Sequence, residues 1–367
     1  MTWILVVTGA VLALLLLGMF YLSGVLAWED QKTVGTEYYG LPRAERDRFK
    51  QALRRHARVL SPVLGIFSRL SKFQFEKTSF HHRGIAGPKG TCSKESFERA
   101  DVYPAGPEDI FVATQMKCGT TWMLHVVYQV LLRGRGDLVE ADATLHAVCP
   151  WIEGRKTVSM ENAPLVGTER PSRVIKTHLP AELCPFSPEA RYIYVVRHPV
   201  SCFASCADFI AANTGRFAPS LDVVERWFLS DGQMWWGTWP AHVKGWWDLS
   251  RRHGNVLFVS FEEMKRDLAG IVRRVEEFLG VAPLTADERA HVVAKCSFRY
   301  MQDHDATFEM HPPHILAVDA ELFVRGSADR HKDVPNDAQD RIRRWSVEQL
   351  AGSDFPLAQY YPDVTAP

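Results

Sequence analysis

Residues 110–122 read Ile-Phe-Val-Ala-Thr-Gln-Met-Lys-Cys-Gly-Thr-Thr-Trp. Four β-prone residues lead into a short polar loop, and apolar residues then recur at spacings of three and four, which predicts a strand, a tight loop and a helix. Backbone N–H groups and the positive end of the helix dipole point into such a loop. Lys117 adds a positive charge, and Thr120 and Thr121 add hydroxyl groups. We therefore expect the loop to bind a phosphate or a sulfate group.

The loop differs from a Walker A P-loop in the position of its lysine. Walker A places the lysine directly after the second glycine, whereas Lys117 precedes Gly119 by two positions. The sequence therefore predicts a P-loop-like anion site, and a strand-to-helix turn without a ligand is the alternative interpretation.

The composition argues against several classes of protein. The 367 residues include 43 basic and 43 acidic side chains, and this zero net charge argues against general nucleic-acid binding. The seven cysteines are odd in number and form no C-x-x-C pair, so neither a disulfide framework nor a zinc site is expected. Unpaired thiols favour a reducing compartment.

The N-terminal segment is predicted to be a membrane anchor. Residues 2–28 contain no charged side chain, and the almost wholly apolar run over 4–25 is long enough to cross a bilayer as a helix. Trp3 at one end and Tyr21 and Trp28 at the other suit the two membrane interfaces. A cleaved signal peptide is the alternative, but it normally begins with lysine or arginine, which this segment lacks.

The next segment is richly charged over residues 29–75, with a basic cluster and apolar residues in a loosely helical pattern. It lies either against anionic lipid headgroups or in solvent as a helix that joins the anchor to the following domain. Residues 76–109 are rich in glycine and proline, which predicts loops.

Basic residues near a membrane span bias their flank towards the cytoplasm. No lysine or arginine precedes the apolar run, whereas Lys32, Arg43, Arg46, Arg48 and Lys50 follow it. The sequence thus predicts a single-pass membrane protein whose remaining chain lies on the cytoplasmic face.

Downstream, strands alternate with helices. Residues 173–176, 191–197 and 256–261 are strand candidates; a helix is expected from Pro199 and another over 264–279. This alternation predicts an α/β domain of three layers, with a central parallel sheet flanked by helices. Ligands bind beyond the carboxyl ends of such strands. Lys117, His178 and Arg197 each lie at or just after a strand, so we expect them to converge.

Several motifs in this domain resemble those of the sulfotransferases that use 3′-phosphoadenosine 5′-phosphosulfate (PAPS), in particular the enzymes that sulfate small alcohols and phenols. Residues 114–122 resemble the family's 5′-phosphosulfate loop, T-Y-P-K-S-G-T-T-W, and residues 176–180 its K-T-H-L-P segment. Arg197 and Ser205 match the pair that holds the 3′-phosphate. The remaining matches are Gly237-Thr238-Trp239, residues 242–247 and Ser297-Phe298, so the resemblance covers roughly residues 108–333.

The resemblance implies an enzyme that transfers a sulfuryl group from PAPS to a hydroxyl group, or less favourably an amine, of a small apolar acceptor. His178 would be the general base, assisted by Lys117 and Lys176. The residues implied for the nucleotide are Lys117, Cys118, Gly119, Thr120, Thr121, Trp122, Arg197, Ser205, Ser297, Phe298, Arg325 and Gly326. No metal is expected. The partners expected are the small-molecule acceptor and, through residues 3–28, a membrane.

The predicted organisation is a transmembrane anchor over 3–28, a basic connector with lead-in loops over 29–107, a sulfotransferase domain over 108–350 and a C-terminal tail over 351–367.

The chain departs from the family pattern near the 3′-phosphate. Val324 replaces an arginine and Asp329 replaces a glycine, although Arg325 and Gly326 are kept. Phe261 stands where the cytosolic enzymes have tyrosine, and the K-x-x-x-T-V dimerisation segment has no counterpart. Two alternatives follow. One is a catalytically inactive, membrane-tethered nucleotide-binding protein; the other is a kinase-like P-loop protein, which the position of Lys117 disfavours.

Overall fold

A computed structural model describes residues 2–34, 38–309, 313–318 and 330–365. Within these residues the strands are β1 Ser79–His82, β2 Ile85–Pro88, β3 Asp109–Ala113, β4 Arg173–Thr177, β5 Arg191–Val196 and β6 Val256–Ser260. The last four form a parallel sheet in the order β4-β3-β5-β6. The strands predicted from sequence are therefore confirmed to within a residue or two.

The α-helices that the structure describes are α1 Thr2–Thr33, α2 Arg43–Leu70, α3 Phe75–Thr78, α4 Lys94–Asp101, α5 Thr120–Leu131, α6 Leu145–Val148, α7 Pro199–Thr214, α8 Leu221–Phe228, α9 Trp239–Arg252, α10 Phe261–Arg266, α11 Leu268–Leu279, α12 Ala286–Lys295, α13 Phe298–Asp303, α14 Asn336–Leu350, α15 Leu357–Tyr360 and α16 Pro362–Thr365. Short 3-10 helices cover Gly215–Phe217, Asp305–Phe308 and Arg330–Asp333.

Helices cover both faces of the parallel sheet, as predicted. Successive strand side chains point to opposite faces, so Phe111 packs in the core with α7, α8, α9 and α14, whereas Ile110 and Val112 pack in the core with α5, α11 and α12. Full burial of each large apolar side chain contributes about 1.5–3 kcal/mol. The two cores hold the carboxyl ends of β3, β4 and β5 side by side.

The lead-in segment is more ordered than the glycine and proline content predicts. Strands β1 and β2 form an antiparallel hairpin, in which His82 pairs with Ile85. Arg83 and Gly84 make the turn with φ values of 50° and 83°, as a two-residue hairpin turn requires. Helix α4 then begins at a capping box formed by Ser93 and Ser96. Strands of four residues are too short for a clear period-two pattern, and the prediction of loops here was wrong.

Two further boundaries differ from the sequence prediction. The helix expected over 264–279 is divided into α10 and α11, because Asp267 adopts a non-helical φ of −142° and its side chain caps α11 by accepting from the Gly270 N–H. The predicted tail after residue 350 instead packs into the core through Phe355, Leu357, Tyr361 and Val364. Residues 351–365 therefore belong to the α/β domain.

The two N-terminal helices pack antiparallel. Trp28 of α1 contacts Phe49 of α2, and the Tyr21 hydroxyl lies 2.6 Å from His56 Nδ1. Helix α1 is long and apolar enough to cross a membrane from residue 6 onwards, by length and composition, and its side chains there are mostly exposed. A signal sequence would also meet this criterion.

Candidate active site

The loop between β3 and α5 has a backbone conformation that brings its lysine towards the sheet edge. Lys117 has φ 64°, in the left-handed region, which costs roughly 1–3 kcal/mol for a residue with a side chain and is typical of functional sites. Gly119 follows with φ 101° and caps α5. A Cβ at Gly119 would lie 2.7 Å from the Phe261 ring. Both the backbone angle and the close ring therefore require glycine at this position.

Three side chains fix this loop. The hydroxyl groups of Thr114 and Thr120 lie 2.6 Å apart, which joins the end of β3 to the start of α5. The Gln115 amide donates to the carbonyl oxygens of Trp235, at 3.1 Å, and Gly237, and its own oxygen accepts from the Met116 N–H. The loop is thus tethered to the segment before α9.

Lys117 lies partly buried among aromatic and basic groups. Its Nζ is 4.6 Å from the centre of the Phe209 ring. Desolvation lowers the pKa of Lys117 to about 8, and the nearby Arg197 charge acts in the same direction although neighbouring thiols oppose it. The side chain is therefore still largely protonated at neutral pH.

His178 follows β4 and is held in one tautomer. Its Nδ1 lies 3.0 Å from the carbonyl oxygen of Thr114. A carbonyl oxygen can only accept, so Nδ1 carries the proton and Nε2 has the lone pair. Burial lowers the pKa of His178 well below its usual value, and the Lys176 charge lowers it further. The imidazole is therefore neutral at physiological pH and able to accept a proton at Nε2.

An aromatic wall and a second histidine support His178. The ring centres of Trp236 and Trp151 lie 4.9 and 5.5 Å from that of His178. His242 Nε2 donates to the backbone oxygen of His178 at 2.9 Å, and its Nδ1 accepts from the Tyr194 hydroxyl at 3.0 Å. The sequence marked neither tryptophan as a neighbour of the histidine, because Trp236 approaches it from a loop distant in sequence.

Glu153 is a further residue of this site that the sequence analysis missed. Its side chain is fully buried. One carboxylate oxygen accepts from the backbone N–H of His178 at 2.7 Å, and the other accepts from the Thr177 hydroxyl at 3.0 Å. Both contacts fix the segment that presents the imidazole. The available signal was a single charged residue directly after the apolar run Pro150-Trp151-Ile152.

Lys176, in β4, is buried. Its Nζ lies 3.8 Å above the Trp151 ring, a cation–π contact. Desolvation lowers the pKa of Lys176 to about 8, and the buried Glu153 carboxylate opposes this shift. Lys176 thus adds positive charge beside His178.

Arg197 directly follows β5 and contacts the anion loop. Its Nη1 donates to the backbone oxygen of Lys117 at 2.8 Å, and its guanidinium carbon lies 4.5 Å above the Phe261 ring. Ser205 lies half-buried two turns into α7, which begins just after Arg197. Lys117, His178 and Arg197 therefore converge at the carboxyl edge of the sheet, as predicted.

The side of the loop facing α13 is apolar. Trp122 meets Phe261 edge to face at 5.6 Å, and its indole N–H donates to the Cys296 carbonyl at 2.7 Å. That bond brings the predicted pair Ser297 and Phe298 next to Trp122. The Ser297 hydroxyl already caps α13 by accepting from the Tyr300 N–H at 3.2 Å. The other predicted pair, Arg325 and Gly326, lies outside the described residues, as do Val324 and Asp329.

Three thiols lie beneath the loop. The Sγ atoms of Cys118, Cys202 and Cys206 are 3.7, 3.4 and 3.9 Å from the Met116 carbonyl oxygen. All seven cysteines of the chain are free and buried. Across the part of the chain that the structure describes, no group of three or more His, Cys, Asp or Glu side chains could hold a metal ion.

Comparisons with known proteins identify the family to which this chain belongs. The family described as Sulfotransferase domain matches residues 107–354. The chain is 29% identical to mouse sulfotransferase 1E1 over 235 residues, which cover 62% of this chain and 78% of that protein. It is 33% identical to mouse sulfotransferase 2B1 over 229 residues, covering 61% of this chain and 65% of that protein.

Solved structures share the fold. The crystal structure of mouse sulfotransferase SULT7A1 complexed with PAP matches with a TM-score of 0.60 and 22% identity, covering 79% of this chain and 100% of that one. Retinol dehydratase in complex with androsterone and the inactive cofactor PAP matches with a TM-score of 0.58 and 19% identity, covering 76% of this chain and 91% of that one. The family match and the shared architecture lead to one conclusion: the chain belongs to the sulfotransferase family, the PAPS-dependent family that its motifs resemble.

Proposed function

We propose that this sulfotransferase transfers the sulfuryl group of PAPS to the hydroxyl group of an apolar acceptor, with His178 as general base. The observation that carries the proposal is the Nδ1 contact of His178 with the Thr114 carbonyl at 3.0 Å, because it leaves Nε2 unprotonated beside the anion loop. An amine acceptor is the less favoured possibility.

In the proposed step, Nε2 of His178 removes the acceptor's hydroxyl proton while the acceptor oxygen forms a bond to sulfur. The bond between sulfur and the bridging phosphate oxygen breaks, and 3′-phosphoadenosine 5′-phosphate leaves. Lys117 and the loop N–H groups stabilise the negative charge that develops on that phosphate. Lys176 adds positive charge nearby and is proposed to assist.

For the nucleotide, we propose that residues 117–122 contact the 5′-phosphosulfate and that Arg197 and Ser205 bind the 3′-phosphate. The guanidinium offers a planar fork of donors, which suits a phosphate. Arg325 and Gly326 are proposed to complete this site, and Ser297 and Phe298 to lie beside the adenine.

The apolar character of the acceptor is inferred from the side chains around His178 and Lys117. Trp151, Trp236 and Phe209 present ring surfaces there, and aromatic walls with few polar groups are typical of pockets for apolar ligands.

We further propose that α1 anchors the enzyme in a membrane, with the α/β domain on the cytoplasmic face. The basic residues that follow the apolar run support this orientation. A Lys89→Cys variant should be protected from a membrane-impermeant thiol reagent outside intact cells. Labelling from outside would overturn the orientation.

The activity is tested with full-length enzyme, labelled PAPS and a panel of sterols, phenols, long-chain alcohols and amines. Transfer to apolar alcohols is expected, and a His178→Ala variant should be slower by about 10²- to 10⁴-fold. If PAPS raises the melting temperature but no acceptor is labelled, the chain is an inactive nucleotide-binding protein. If His178→Ala turns over normally, the assigned base is wrong.

A further inference from the structure

The pairing of α1 with α2 extends deep into the apolar run. A Cβ placed on Gly18 would lie 2.5 Å from a methyl group of Val63, so the two helices are in close contact at this level. Contacts then step antiparallel through Tyr21 with His56 to Trp28 with Phe49. Helix α2 therefore accompanies α1 well past the charged residues.

The α/β domain contacts α2 at the same level. Arg216 Nη1 donates to the backbone oxygen of Ser61 at 2.9 Å, and a Cβ on Gly65 would lie 3.3 Å from that guanidinium. Leu60 and Leu64 are buried between these elements. Helix α2 is thus held against the domain as far as Gly65. Because Val63 of α2 lies against Gly18 of α1, the domain reaches the same height along α1 as Gly18.

This arrangement limits how α1 can cross a bilayer. Leu15 is the first described side chain of α1 that neighbouring residues partly cover, and the described side chains in the segment 2–14 are exposed. That segment is about 20 Å long at a rise of about 1.5 Å per residue. The hydrocarbon core is about 30 Å thick. The part of α1 that pairs with α2 must therefore also lie in the membrane.

The outer face of α2 suits this position. Val59, Ile66 and Leu70 are 64%, 38% and 77% exposed. Their spacings of seven and four place them on one side of a helix. Arg55 and Arg58 precede this apolar stripe, and Arg69 and Lys72 lie at its far end, all four exposed. The stripe is therefore bounded by basic side chains at both ends.

We propose that the apolar stripe of α2, formed by Val59, Ile66 and Leu70, is a second membrane contact. It is embedded obliquely in the headgroup region of the leaflet that α1 enters. This inference rests on the proposed anchoring by α1. The apolar face of an interfacial helix is buried about 5–10 Å, while its arginines and lysines reach anionic headgroups. The partner surface is thus a bilayer that contains anionic lipid, and α1 crosses it with a tilt.

The contact has a consequence for the acceptor. Helix α7 carries Phe209 beside Lys117, and it ends five residues later at Thr214, about 8 Å along the helix. The following turn, Gly215–Phe217, carries the Arg216 contact to α2. The membrane-facing helix is therefore within a short distance of the catalytic lysine, so an apolar alcohol dissolved in the bilayer is the substrate class that fits.

The test is the depth of spin labels on the full-length enzyme in vesicles of phosphatidylcholine and phosphatidylserine. Because all seven native cysteines are buried, single cysteines introduced at exposed sites can be labelled selectively. The test variants are Ile66→Cys and Leu70→Cys. Phe20→Cys on α1 is the membrane control, and Val102→Cys, 79% exposed at the end of α4, is the aqueous control.

The measured quantity is the ratio of spin-label relaxation by molecular oxygen to spin-label relaxation by a water-soluble nickel chelate. The labels on α2 should give a ratio several-fold above that of Val102→Cys. If they match Val102→Cys while Phe20→Cys reports lipid, the second contact is overturned and the anchor stands. If Phe20→Cys also reports water, the anchor itself is wrong. An unchanged Leu70→Cys ratio without phosphatidylserine would overturn the role given to anionic headgroups.

Discussion

The anion loop and the N-terminal helix pair are fixed by different kinds of interaction. The loop is specified by short-range polar contacts and by two unusual backbone angles at Lys117 and Gly119, so few substitutions can preserve it. The helix pair is held by apolar side chains that would tolerate many exchanges, apart from the close contact at Gly18. Substitutions in the two regions should therefore have different effects. Those in and around the anion loop should lower catalytic activity or nucleotide binding, whereas those in the helix pair should change how the two helices pack.

The largest effect is expected for His178→Ala. Loss of a general base typically costs about 10²- to 10⁴-fold in rate. Measured kcat should fall by that amount, with unchanged affinity for 3′-phosphoadenosine 5′-phosphate and an unchanged melting temperature. Exposed His291 of α12, changed to alanine, is the matched control and should retain full activity. Weakened nucleotide binding in His178→Ala would indicate a structural role instead.

Arg197→Ala should weaken binding of 3′-phosphoadenosine 5′-phosphate. Hydrogen bonds to charged groups contribute about 1.5–3 kcal/mol, roughly ten- to a hundred-fold in Kd. Adenosine 5′-phosphosulfate, which lacks the 3′-phosphate, should lose far less. Calorimetry with both ligands makes the comparison. Equal losses would mean that Arg197 supports the loop through the Lys117 carbonyl without reading the 3′-phosphate.

Glu153→Gln tests whether the buried carboxylate positions His178. The amide keeps the size but replaces one acceptor by a donor, and an unmade buried hydrogen bond costs about 1–3 kcal/mol. We expect kcat to fall roughly ten-fold or more, by the usual conversion of about 1.4 kcal/mol per ten-fold, with KM for PAPS unchanged. Exposed Glu182→Gln is the control. A loss of stability with normal kcat would refute the positioning role.

The pH profile should reflect the two depressed pKa values. In the proposed mechanism the protonated form of Lys117 is the active one, and its pKa is about 8, so the rate should fall as pH rises through about 8. His178 has a pKa well below its usual value, so the rate should not fall as pH is lowered through 6.5. Lys117→Arg should remove the alkaline fall, since arginine stays charged. If only Lys176→Arg removes it, the fall belongs to Lys176.

The smallest effect on chemistry is expected for Gly18→Leu in the helix pair. Its side chain would meet Val63, and overpacking costs about 1–3 kcal/mol. Activity towards a water-soluble phenol should stay normal while the melting temperature decreases. Gly24→Leu is the matched control, because a Cβ there meets nothing within 4 Å. If Gly18→Leu abolished turnover of the soluble phenol, the contrast between the two regions would fail.

Sequence reasoning predicted the parts of the fold that depend on local pattern. The strands of the parallel sheet are apolar runs with clear ends. The residue that follows each strand is a candidate site residue, because ligands bind beyond the carboxyl ends of parallel strands. Lys117, His178 and Arg197 could therefore be placed together from the sequence alone. The division at Asp267 and the hairpin around Gly84 depend on a cap and a turn within short segments, where periodicity carries little information.

The missed residues reach the site through contacts distant in sequence. Glu153 is 25 positions from His178 and binds it through the backbone, so no side-chain motif joins them. Trp236 reaches the same imidazole from a loop tethered by Gln115. Such contacts depend on where loops cross, which strand and helix patterns do not specify. The roles of individual site residues remain predictions for the experiments above.

In the proposed mechanism, the single tautomer of His178 also determines where the acceptor's proton goes in each catalytic cycle. Once Nε2 has taken the acceptor's proton, the imidazolium lies buried beside the Lys176 and Lys117 charges, the same surroundings that lower its pKa. A proton held there is readily given up, so the resting enzyme is restored when that proton passes to solvent. Each sulfated product is therefore accompanied by one proton released to the medium, and a weakly buffered solution containing an indicator dye would report turnover without a label.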